Sequence, residues 1–99
     1  MKIASSEFVG PLDKHQLPPI PGVYVIVDLG LDSKILYVGE SNDVFDRLNK
    51  QEHDGQDCSI SKSSTGLVHY YYHHQASRNM RLSLETAVRV LYNPPCNKQ

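Results

Sequence analysis

From Gly22 to Asp28 the chain reads G-V-Y-V-I-V-D. Four β-branched apolar residues and a tyrosine in almost unbroken succession predict a strand that is central in its sheet. Leu29 to Ser33 is turn material. Lys34 to Val38, K-I-L-Y-V, reads as a second strand, and the short connection makes the two a hairpin. Gly39 breaks the pattern. Ser41 and Asn42 are N-cap candidates, Asp43 suits a first turn, and Val44, Phe45 and Leu48 share one helical face, which predicts a helix over about 42–52. Residues 53–66 are polar and rich in Ser, Asp and Gly, so a loop is expected there. Gly66 to His74, G-L-V-H-Y-Y-Y-H-H, predicts a third strand. Ser77 then caps a last helix whose apolar stripe is Met80, Leu84, Ala87, Val88 and Leu91, and Asn93-Pro94-Pro95 ends it. The order β-β-α-β-α predicts an α/β domain of the α+β type: a small three-stranded, mostly antiparallel sheet flanked by helices.

Ahead of these elements, residues 1–21 hold Pro11, Pro18, Pro19 and Pro21, four of the chain's 6 prolines. They predict an extended, irregular arm, pinned to the core by Ile3, Phe8, Val9, Leu12 and Ile20. The expected organisation is that arm followed by one domain over 22–99. A chain of 99 residues suits a single domain. No apolar run approaches the ~20 residues of a membrane helix, and the N-terminus lacks the apolar stretch of a secretory signal.

Charge narrows the partners. The 10 Lys+Arg and 11 Asp+Glu leave a net charge of −1, so any nucleic-acid site is a local patch. Cys58 and Cys96 have no CxxC spacing. Reduced thiols in a cytoplasmic protein are the expected state, with a disulfide as the alternative.

Three features carry chemistry. Tyr24 and Tyr37 stand one in each strand of the first hairpin, in Gly22-Val23-Tyr24 and, after twelve intervening residues, Tyr37-Val38-Gly39. Arg47 lies ten residues beyond Tyr37. Glu85 lies on the last helix, ahead of Asn93-Pro94-Pro95-Cys96-Asn97. Taken singly, strand tyrosines are packing residues, and Glu85 or Arg47 beside opposite charges is a surface ion-pair residue. Their joint order and spacing resemble the signature of the GIY-YIG nuclease superfamily, over residues 21–97.

That resemblance implies metal-dependent hydrolysis of a DNA phosphodiester, leaving a 5′-phosphate and a 3′-hydroxyl. It places Tyr24 and Tyr37 at the signature tyrosines, Arg47 at the helical arginine, Glu85 at the metal-binding glutamate and Asn97 at the late asparagine. A hard cation, Mg²⁺ or Mn²⁺, prefers carboxylate oxygen, and one carboxylate with waters and phosphate oxygens completes its shell. Arg47 offers phosphate a permanently charged planar fork. A tyrosine of pKa ~10 is a poor base at neutral pH, so neighbouring cations must lower it; the family favours Tyr37 as base and Tyr24 as the positioning group. Arg78, Arg81 and Arg89 recur near Glu85 and form the expected nucleic-acid patch. DNA is the expected partner, with RNA open, and a targeting protein or homodimer is the expected source of specificity.

Two positions depart from the family pattern. Glu40 follows the second signature glycine, where a basic residue is common, and is either a repulsive charge or a metal recruiter. Gln51 stands one turn after Arg47, where a histidine is common; His53, two residues on, is an accessory candidate that helical spacing does not place on Arg47's face. These departures motivate the alternative, a weakly active or inactive module that binds nucleic acid or protein. The H-Y-Y-Y-H-H run offers no zinc site, because histidines at i, i+4 on a strand are about 13 Å apart. A half-buried sheet face is its expected role, ahead of a stacking surface for single strands.

Overall fold

The computed structural model describes residues 1–30 and 33–97. Leu31 and Asp32, in the expected 29–33 turn, and residues 98 and 99 lie outside the described residues. The β-rich central run is β4 (Gly22–Asp28), paired on one side with β5 (Ile35–Ser41) and on the other with β6 (Val68–His74), both antiparallel. Residues 23–27 of β4 are at most 2% exposed, as a central strand requires. Each of its fully buried Val and Ile side chains stabilises the fold by about 1.5–3 kcal/mol.

The sheet has four strands rather than three. The N-terminal arm is more regular than its prolines suggest: β1 (Lys2–Ile3) and β2 (Ser6–Glu7) form a small hairpin, and β3 (Val9–Leu12) pairs antiparallel with β6. The order is β3-β6-β4-β5. Pro11 is tolerated because β3 is an edge strand.

Alternation along β4 sends Val23, Val25 and Val27 to one face, where they join Ile3, Phe8, Ile35, Val38 and Val88. Tyr24 and Ile26 go to the other, with Leu17, Val44, Leu48 and Tyr70. Helix α1 (Val44–Asn49) covers this second face. Its cap is Asp43, whose Oδ1 accepts from the Asp46 amide at 2.9 Å, so the helix starts later than Ser41 or Asn42 would place it.

The 53–66 segment is not all loop. Asp54–Lys62 is a helix, α2, with His53 as its cap. The Gln56 amide donates to His53 Nδ1 at 3.0 Å, and Asp54 and Asp57 suit the positive end of the helix.

Helix α3 (Arg78–Tyr92) starts at Ser77 as expected, with Ser77 Oγ accepting from the Met80 amide. The face it buries differs from the aliphatic stripe. Val88 is fully buried, but Met80 is 58% and Leu91 66% exposed, while Arg81 is only 5% exposed. Arg81 Nε donates to Glu40 Oε1 at 2.9 Å and Arg81 Nη1 to the Gln75 and Ala76 carbonyls. An ion pair from β5 therefore sets the rotation of α3.

The cysteines also differ from expectation: Cys58 of α2 and Cys96 are joined in a disulfide. None of the helices among the described residues is long and apolar enough to cross a membrane.

Candidate active site

The spacing of the two tyrosines has a geometric reason. Tyr24 of β4 is paired with Gly39 of β5, and Tyr37 lies two residues along the same face. A Cβ at residue 39 would run into the Tyr24 ring and hydroxyl; glycine there lets the ring lie flat across the neighbouring strand. Tyr37 meets a second backbone seat. A Cβ at Gly55, in the first turn of α2, would stand 2.5 Å from Tyr37 Cε1. The two tyrosine rings and the His53 ring form a cluster, with centroids 6.2 Å apart for Tyr24–Tyr37, 5.6 Å for Tyr24–His53 and 5.2 Å for Tyr37–His53.

His53 comes from the cap of α2, not from α1. Its Nε2 is 2.5 Å from the Tyr24 hydroxyl, and the residue is 4% exposed. Because Nδ1 accepts from the Gln56 amide, the neutral ring carries its proton on Nε2 and donates it to Tyr24. Tyr24 thus uses its oxygen as acceptor and keeps its own proton for another partner. Burial, reinforced by Arg47, lowers the His53 pKa to about 4, which keeps the ring neutral.

This has an acid-side consequence. A group whose folded pKa lies below its unfolded value of 6.5 takes up a proton more readily in the unfolded chain. Its contribution is complete above pH 6.5 and is lost as pH falls towards 4, by about 3 kcal/mol in all. Thermal melts across that range should fall more steeply for the native chain than for His53→Asn, which keeps a capping oxygen. Parallel curves would show that His53 does not titrate this way.

Glu85 lies across from Tyr37 in a cleft of about 500 Å³, bounded by Asp54, Gly55 and Cys58 of α2, Glu85 and Arg89 of α3, and Cys96 and Asn97. Burial, then the charge of Glu40, raise the Glu85 pKa, against the pull of Arg89. The Tyr24 hydroxyl is pushed up by its burial and then by Tyr37. The Tyr37 hydroxyl is raised by burial and Glu85, and opposed by Arg47 and Arg89. The structure therefore brings Tyr24, Tyr37, Arg47, Glu85 and Arg89 into one electrostatic neighbourhood, with Glu40 beside it. Arg47 is partly buried and donates from Nη1 to the Glu52 carbonyl at 2.8 Å; the Gln51 side chain is 3.5 Å from the same nitrogen.

The other candidates take different places. Asn97 clamps a strand: its Oδ1 accepts from the Val38 amide and its Nδ2 donates to the Val38 carbonyl, each at 2.8 Å. Both amide atoms are occupied, so Asn97 acts on the site by fixing the residue next to Tyr37. Arg81 is withdrawn into its pair with Glu40 and is not a surface cation. That pairing also gives Glu40 an adjacent positive charge. Arg78 is exposed, beside Ser41, Asn42 and Gln51. Gly55, Gln56 and the disulfide were not singled out by spacing; the one local signal was a His-Asp-Gly-Gln run, which reads equally well as a turn.

The donor set suits one hard cation and few protein ligands. No group of three or more His, Cys, Asp and Glu residues able to hold a metal occurs among the described residues. Glu85 is a single, partly desolvated carboxylate in an open cleft, and a bound cation would offset the cost of its charge. A six-coordinate ion that keeps most of its waters fits such a site.

No protein-family model matches the sequence, and no curated protein does. The fold has solved counterparts. The GIY-YIG N-terminal endonuclease domain of UvrC from Thermotoga maritima, bound to magnesium as its catalytic divalent cation, superposes with a TM-score of 0.63 at 19% identity, over 86% of this chain and 91% of that one. A point mutant of the same domain, also bound to its catalytic cation, gives 0.64 at 18% identity over 87% and 91%. The likeness read from two tripeptides, an arginine, a glutamate and an asparagine thus extends to the architecture that holds them: this chain has the GIY-YIG endonuclease-domain fold.

Proposed function

We propose that the protein is a divalent-metal-dependent endonuclease that hydrolyses DNA phosphodiesters. The observation that supports this reading is a cleft lined by Tyr37, Glu85 and Arg89, with Tyr24 packed behind Tyr37 and bonded to His53. Glu85 would hold the cation, Mg²⁺ or Mn²⁺; the structurally similar UvrC domain is bound to magnesium as its catalytic divalent cation. Bound there, the ion supplies charge neutralisation at the phosphate and assists ionisation of the nucleophilic water.

The chain's own residues then divide the work. Tyr37 lines the cleft and takes the proton of the attacking water. Its pKa must fall for this, and Arg47 and Arg89 already act in that direction. Tyr24, buried and accepting from His53, keeps its own proton to donate towards Tyr37 and acts as the positioning group. Arg47 and Arg89 bind phosphate oxygens, and Arg78 extends the positive surface. Asn97 and Gly55 hold Tyr37 in place. The alternative of an inactive module rested on Glu40 and the absent helical histidine. Glu40 is now paired with Arg81, and His53 reaches Tyr24 by another route, so neither departure favours it.

The test is cleavage of labelled single-stranded, duplex and branched DNA with Mg²⁺, Mn²⁺ or EDTA. Metal-dependent nicking of any of the three is expected. Binding without cleavage by folded, metal-supplied protein would assign the chain to the binding class instead.

A further inference from the structure

The disulfide lies in the wall of the cleft, and the two segments it joins are anchored very differently. Cys96 belongs to a stretch tied firmly to β5: its amide donates to the Leu36 carbonyl at 2.9 Å, and Asn97 holds Val38 at both backbone atoms. Cys58 belongs to α2, whose buried residues are Gly55, Gln56 and Ser59. Its one aliphatic residue, Ile60, is 42% exposed. Burial of so little apolar surface contributes little to docking a nine-residue helix. The contacts that hold it include the disulfide, His53 on Tyr24, Gly55 against Tyr37, Gln56 on Tyr70, and Ser63 and Ser64 on Asp28.

We infer that Cys58–Cys96 is a redox latch on this site, holding α2 against the two tyrosines when oxidised and releasing it when reduced. The inference rests on the nuclease reading for what is regulated, but not for the movement itself. The reductant is a dithiol. One of its thiolates attacks a cysteine sulfur to give a mixed disulfide, and its second thiolate displaces the protein thiolate. Two protein thiols form, and the reductant leaves as its own disulfide, having lost two electrons and two protons. Release of α2 withdraws the Gly55 seat from Tyr37 and the His53 donor from Tyr24, while Asn97 keeps its grip on β5. In a compartment where glutathione and thioredoxin-type proteins keep thiols reduced, such a bond is a transient signal rather than a permanent staple.

Hydrogen exchange followed by mass spectrometry, on the full chain, tests this directly. The oxidised protein is compared with protein reduced by dithiothreitol and with the Cys58→Ser/Cys96→Ser variant. Exchange over 54–62 should rise at least ~10-fold in both, with β4, β5 and β6 still protected. Near-ultraviolet circular dichroism, which here reports only tyrosine and phenylalanine besides the disulfide because the chain has no Trp, should change between the reduced and reoxidised states and recover. Unchanged exchange over 54–62 overturns the latch. Loss of protection throughout the sheet also overturns it, by making the bond a global staple. Cleavage is read separately: failure of the oxidised protein to cut DNA defeats the nuclease reading and leaves the exchange result to decide the latch. Cleavage that persists at the same rate after α2 is released overturns the regulatory role.

Discussion

Glu85→Gln is expected to lower metal-dependent cleavage by at least about 10³-fold, the loss of ~4 kcal/mol of transition-state stabilisation. Gln keeps the shape and removes the charge that would bind the ion. The same change should leave the fold intact and make it somewhat more stable without metal. Burial, then the charge of Glu40, raise the Glu85 pKa, so its ionised form is less favourable in the folded chain than in the unfolded one. The sign follows from linkage: a carboxyl with a raised folded pKa costs stability above that pKa and costs none once protonated. Two measurements separate this from a general defect. The melting temperature of Glu85→Gln should equal or exceed that of the native chain in EDTA. Added Mg²⁺ should raise the melting temperature of the native chain and not that of the variant. A variant that melts lower, or that still responds to Mg²⁺, would place the ion elsewhere.

Gly55→Ala should cost about 10²-fold in cleavage with little change in stability. Two effects oppose each other in the stability term. Alanine favours a helix over glycine by about 1 kcal/mol, whereas forcing a methyl against a packed ring costs about 1–3 kcal/mol. The activity has no such compensation. The new Cβ would lie 2.5 to 2.7 Å from three atoms of the Tyr37 ring, so the ring must move, and an ångström of displacement at a reacting group is enough for a loss of that size. Steady-state cleavage beside thermal melts checks the pair of effects. Native-like activity would mean that Tyr37 is free to swing and that its seat on α2 is incidental.

The sheet and the tyrosine pair were legible in the sequence because both depend on local regularity. Gly22 to Asp28 could be little other than a central strand, and the Tyr24–Gly39 pairing follows once the two signature strands form a hairpin. Three things were not legible. Helix α2 has weak propensity and no apolar stripe; a histidine cap and a disulfide hold it, and neither has periodicity. The α3 face was misread because Arg81 turns inward to meet Glu40, and no aliphatic pattern foretells a buried ion pair. Residues 9–12 became a strand because β6 offered them an open flank, a tertiary fact. The candidate site residues stand out by order and spacing, but what His53 and Asn97 touch depends on which atoms their side chains reach, and only the folded chain shows that.

The hydrogen bonds that Cys96 and Asn97 make to Leu36 and Val38 have a consequence for self-association. An outermost strand with free amides and carbonyls invites a strand from another molecule. On the β5 side those groups are already engaged by the chain's own residues. On the β3 side Pro11 supplies no amide to continue a ladder. The sheet is thus blunted at both flanks, and copies of this protein are poorly equipped to zip together through their backbones.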